Sequence, residues 1–151
     1  MSAISFKALL VSTFLVATIA GCSSTGYSTK SNLVVPKTIR APADIPVEVV
    51  PYVPRYVEAL QAKGFAVGRT NDPRALDLVF DFSANPFNLR IAAGLWNQGI
   101  PVLTGSATNP GWGSVIARGA ALNSLADTSI QQFTTELESF TSRVKIVSDA
   151  P

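Results

Sequence analysis

Alternation of apolar and polar positions is clearest from Asp77 to Ser83, where Leu78, Phe80 and Phe82 point one way and Asp77, Val79 and Asp81 the other. Asn85–Pro86 breaks this strand. Leu89 to Trp96 forms the next, with Ile91, Ala93 and Leu95 on one face. Asn97–Gln98–Gly99 is a short turn with glycine where φ is positive, so Ile100 to Ser106 returns antiparallel. The three strands make a meander. Thr108–Asn109–Pro110–Gly111–Trp112–Gly113 reads as a loop, and a helix begins somewhere between Ser114 and Thr128. In that helix Ala126, Ile130, Phe133, Leu137, Phe140 and Val144 recur at spacings of 4, 3, 4, 3 and 4, a stripe that seats a helix on a sheet or another helix, preferred here over a coiled-coil partner surface. Thr128 and Gln131 have capping-box spacing, which marks a helix start or a break at Asp127.

The N-terminal half is patterned by proline. Pro36, Pro42, Pro46, Pro51 and Pro54 forbid a long helix and favour extended chain. Leu33–Val35 and Val47–Val50 are alternative sources of one edge strand. From Pro54 the period turns helical: Val53, Val57 and Leu60 share a face, Lys63 suits the last turn, and Gly64 is placed as the stop. Phe65–Ala66–Val67 is a short strand, and Asn71–Asp72–Pro73 is turn chemistry. These elements predict an α+β domain, with a small, mainly antiparallel sheet of three to five strands and two helices packed on one face.

The first 30 residues follow another logic. Met1 to Lys7 carry one positive side chain, and the 12 residues from Ala8 to Ile19 contain no charge. Twelve residues make a helix of roughly 18 Å, short of the roughly 30 Å hydrocarbon core. This is the pattern of a secretory signal, not of a spanning helix. Its end, Ile19–Ala20–Gly21–Cys22, resembles the lipobox of bacterial lipoproteins, with isoleucine where leucine is usual. The resemblance implies cleavage between Gly21 and Cys22, diacylglycerol on the Cys22 thiol, and acylation of the new amino terminus. Several acyl chains make a stable membrane anchor where one does not. Ser23 stands where an inner-membrane retention signal would place Asp, so the resemblance implies an outer-membrane anchor facing the periplasm. Residues 1–21 are then a signal peptide, 22–32 a Ser/Thr/Gly-rich tether, and 33–151 one domain.

Composition narrows the chemistry. Of 151 residues, 47% are hydrophobic and only 15% charged, and part of that bias lies in the signal. With no histidine, imidazole general acid–base catalysis and Ser–His or Cys–His pairs are excluded. The single cysteine excludes disulfides within the chain and Cys-cluster metal sites. Lys7 is the one charged residue removed with the signal, which leaves 11 basic against 10 acidic side chains. That balance gives no basis for nucleic-acid binding, which relies on several Lys/Arg–phosphate contacts.

Candidate sites are few. Asp77 and Asp81 share a strand face but lie roughly 13 Å apart, too far for a glycosidase pair, and read as a solvated face. Glu136 and Glu138 point to different helix faces, and Arg69 and Arg74 read as solvated loop cations. The Gly105–Ser114 stretch lacks both P-loop and GxGxxG spacing and reads as a connection. Trp112, between Gly111 and Gly113, is a binding anchor if exposed and a core cap if folded back. Trp96 carries the same choice, with core packing favoured. No catalytic residue, metal site or cofactor is expected.

Leu60–Gln61–Ala62–Lys63–Gly64–Phe65–Ala66–Val67, Leu76–Asp77–Leu78–Val79–Phe80 and the helix from Ala126 to Phe140 follow an order similar to small YajG-like bacterial lipoproteins. That resemblance implies the architecture and transfers no catalytic residue. The resulting expectation is a non-catalytic envelope lipoprotein held in the membrane by Cys22, with an envelope protein as partner. The alternative is a module binding lipid, glycan or peptidoglycan beside Trp112.

Overall fold

The computed structural model describes residues 33–85, 88–110 and 118–149. Seven strands, two helices and a 3-10 turn follow one another along them. Strands β1 (Val34–Pro36) and β2 (Thr38–Arg40) flank Lys37, the 3-10 turn is Val50–Tyr52, and helix α1 is Val53–Ala62. Strand β3 is Ala66–Gly68, and the meander is β4 (Asp77–Asn85), β5 (Asn88–Asn97) and β6 (Ile100–Pro110). Helix α2 (Arg118–Thr141) and strand β7 (Lys145–Val147) complete the order.

The main sheet runs β3-β2-β4-β5-β6, and a separate pair joins β1 to β7. The meander is antiparallel throughout, while β2 lies parallel to both β3 and β4. This is the expected α+β class with its mainly antiparallel sheet. The hairpin between β5 and β6 turns on Gln98 and Gly99, with φ of 49° and 82°. Two successive positive φ values match the right-handed twist of the strands they join. Helix α1 stops at Gly64, whose φ is 88°, as its position at the helix end predicts.

One face of the sheet carries both helices. Tyr56 of α1 meets Phe80 of β4 and Phe133 of α2 edge-on, at centroid distances of 5.2 and 5.4 Å. Leu60, Leu78, Leu95, Leu103, Leu137 and Phe140 close the core around them. Helix α2 comes closest at Gly105, where a Cβ would lie 2.4 Å from the Phe133 backbone nitrogen. The Tyr56 hydroxyl donates to Ser129 Oγ at 2.9 Å, and Ser129 in turn donates to the Gly105 carbonyl at 3.2 Å. A fully buried pair of hydroxyls thus ties both helices to the sheet. Burial pushes the Tyr56 phenol above its ordinary value, partly offset by the bond to Ser129.

Several expectations are corrected. Val47–Val50 is not a strand: Val47 is 77% exposed and Val50 enters the 3-10 turn, because Pro46 and Pro51 bracket it. The Leu33–Val35 alternative does become extended, but the proline-rich region supplies two strands, and β2 lies inside the main sheet. Thr108–Pro110 belongs to β6, since the hairpin register carries pairing as far as Asn88–Pro110. No break occurs at Asp127. Thr128 donates its hydroxyl to the Ser124 carbonyl one turn back, so helix α2 runs through. The stripe ends at Phe140, and Val144 lies beyond the helix, leading into the unforeseen β7. In α1 the fully buried anchors are Tyr56 and Leu60, while Val53 and Val57 stay half-buried.

Candidate functional site

The opposite face of the meander carries neither helix. Strand register places three rows across it: Val79–Gly94–Thr104, Asp81–Ala92–Ser106 and Ser83–Arg90–Thr108. On the central strand the middle residues are Ala92 and Gly94, the smallest available. Their neighbours on β4 and β6 stand taller, so the face sinks into a shallow trough of about 450 Å³. Its lining includes Val79, Asp81, Arg90, Gly94, Trp96 and Thr104.

Trp96 and Arg90 stand at opposite ends of the trough, six residues apart on β5, or roughly 20 Å. The Trp96 indole leans over the glycine floor: a Cβ on Gly94 would lie 3.1 Å from Nε1. Arg90 reaches Asp81 at 3.2 Å, with both side chains largely exposed. An exposed pair of this kind adds little stability but holds two opposite charges at the rim. The trough therefore presents an indole, aliphatic carbons, a hydroxyl and a charge pair, which suits non-covalent contact.

Trp96 corrects the core-packing expectation. Alternation after Leu95 sends it to the open face, where it is half-buried. Opposite it, β6 takes up an extra residue, because pairing shifts from Leu95–Leu103 to Trp96–Pro101. Gly105, expected near the end of the returning strand, lies well inside β6 and is the position against which α2 packs. No local motif marks the trough, since it arises from three strands set in register.

The other candidate residues are placed plainly. Asp77 pairs with Arg40, and Asp81 with Arg90, so the two carboxylates serve separate ion pairs on the open face. Glu138 pairs with Lys63 at 2.9 Å, which ties α2 to the end of α1. Arg74 is not simply solvated: it holds the buried Asp72 carboxylate at 2.6 Å. Asp149 accepts from the Thr38 amide and hydroxyl, and these bonds lower its carboxyl below the ordinary range. Gly21, Cys22 and Trp112 lie outside the described residues. Among the described residues no three Asp, Glu, His or Cys side chains converge as a metal would require. Among them, too, no helix is long and apolar enough to cross a membrane.

No protein-family model matches the chain, and no curated protein matches it. Among solved structures it is similar to a minor lipoprotein from Acinetobacter baumannii, at 16% identity and a TM-score of 0.39, over 69% of this chain and 94% of that one. It is also similar to a protein of Caulobacter crescentus described as a candidate lipoprotein, again at 16% identity and TM-score 0.39, over 75% of this chain and 95% of the other.

Proposed function

We propose that this chain is a lipid-anchored protein of the bacterial envelope, held at the periplasmic face of the outer membrane and acting by contact, without catalysis. The observation that carries the anchor is Ile19–Ala20–Gly21–Cys22 at the end of a charge-free apolar segment. The open sheet face supports the rest. It offers a trough of defined shape, and its carboxylates are engaged with arginines. The occupant of that face is a protein component of the envelope.

Metabolic labelling with a palmitate analogue tests the anchor. Wild type takes up label and floats with outer-membrane vesicles, and Cys22→Ala does neither. Unlabelled wild type overturns the assignment.

A glycan or peptidoglycan ligand is the second reading, favoured by Trp96 sharing the trough with Thr104 and the Arg90–Asp81 pair. Retention on purified cell-wall sacculi, lost in Trp96→Ala, supports this reading over a protein partner. If Trp112→Ala loses retention while Trp96→Ala keeps it, the site is the loop instead.

A further inference from the structure

The basic side chains of this protein are unevenly committed. Arg40, Arg55, Lys63, Arg74 and Arg90 each form an ion pair. Lys37, Arg69, Arg143 and Lys145 are exposed and form no ion pair among the described residues. Arg69 follows β3, and the other three belong to one place, the β1–β7 ribbon and the chain entering or leaving it. The Lys37 amide donates to the Val147 carbonyl, the Lys145 amide to that of Leu33, and Lys145 sits beside Val34 in the register. Arg143 follows the end of α2, where its Nε bonds the Ser139 carbonyl at 3.0 Å.

This end of the domain is also where the chain arrives from Cys22. Leu33 opens the described residues, and the 11 steps from Cys22 to Leu33 span roughly 40 Å at full extension. Residues 22–37 and 142–149 together hold Lys30, Lys37, Arg143 and Lys145 and one acid, Asp149. The rest of the chain after Cys22 carries 7 basic and 9 acidic side chains. Positive charge is thus gathered at the tethered end, and the remainder is net negative. Two exposed aliphatics, Val34 and Ile146, occupy the two faces of the ribbon among these cations. Asp149 is the carboxylate that faces Lys37, and it is already bonded to Thr38.

We propose that the β1–β7 end of the domain docks on an anionic phospholipid surface, the leaflet that holds the anchor. The proposal rests on acylation of Cys22 as argued above. A bilayer with anionic headgroups attracts lysine and arginine held within a Debye length of it. A tether of this length keeps the ribbon within reach of that surface. Docking there leaves the net-negative remainder of the domain directed away from the membrane.

The test uses the mature chain from Cys22, coupled through its only thiol to a maleimide lipid in vesicles, so that tether geometry is kept without acylation. Hydrogen exchange is read in peptides covering residues 33–37 and 143–148, on phosphatidylethanolamine/phosphatidylglycerol vesicles and on phosphatidylcholine vesicles. Docking slows exchange in these peptides on the anionic vesicles alone, and the protection fades with added salt. The triple variant Lys37→Gln/Arg143→Gln/Lys145→Gln lowers the docking equilibrium about a hundredfold, at about fivefold per charge, and removes the difference. Arg55→Gln/Arg69→Gln, neutralising two cations elsewhere, keeps it. Equal exchange on both kinds of vesicle, or protection that survives the triple variant, overturns the proposal. Because coupling replaces acylation, that failure is separate from the palmitate result.

Discussion

The two faces of the meander are made by alternate residues of the same three strands, yet they differ in almost every physical respect. On the helix side Leu78, Phe80, Ile91, Leu95 and Leu103 are buried, and the backbone of α2 presses on Gly105. On the other side the floor is Ala92 and Gly94, and the walls are Val79, Asp81 and Thr104. A face packed to interior density answers to volume changes of a single methyl group. An open face answers to what it contacts. The comparison separates the residues that hold the fold from those free to serve a partner.

Breaking the packed side should cost most. Phe133→Ala removes a fully buried ring against Tyr56 and should destabilise by about 3–5 kcal/mol, read by chemical denaturation. Gly105→Ala forces a methyl into the Phe133 backbone and should cost about 3 kcal/mol, since neither strand nor helix can yield locally. Tyr56→Phe keeps the ring and deletes the hydroxyl that donates to Ser129, a loss of about 1 kcal/mol. On the open side, Val79→Thr should change stability by less than about 0.5 kcal/mol, although it neighbours Leu78 in sequence. A cost above 2 kcal/mol there would mean that the face is covered by something the chain itself supplies.

The smallest effect concerns the C-terminal residues. Asp149 titrates below its ordinary 3.8 because its charged form accepts two bonds from Thr38. A depressed folded value gives stability that is present above the unfolded pKa and lost as pH falls through the folded one. The Thr38 amide resonance should therefore titrate with a midpoint below 3.8, and Asp149→Asn should abolish that step. An unchanged Thr38 signal would contradict the contact.

The same contrast explains what the sequence made legible. Strands β4 and β5 were readable because Leu78, Phe80, Ile91, Ala93 and Leu95 alternate over long windows, and the Gln98–Gly99 turn joins β5 to β6. Strand β2 was not: three residues between prolines offer no period, and their pairing depends on β3 and β4 far along the chain. Strand β7 was hidden because Val144 continues the helical spacing past the point where the helix ends. The role of Gly105 was hidden, because close approach of a helix leaves no local mark beyond the glycine itself. The trough was invisible for a related reason. Ala92 and Gly94 mean nothing singly and become a floor only when Val79 and Thr104 are brought alongside.

The central claim is that the open face, and not the outer surface of α2, is where this protein meets its partner in the envelope. A photoreactive residue placed at Thr104 on the open face, or at Thr135 on the exposed side of α2, tests it in intact cells. The account predicts one reproducible cross-linked envelope protein from Thr104 and none from Thr135. Cross-linking of that same protein from Thr135, with Thr104 silent, would contradict it.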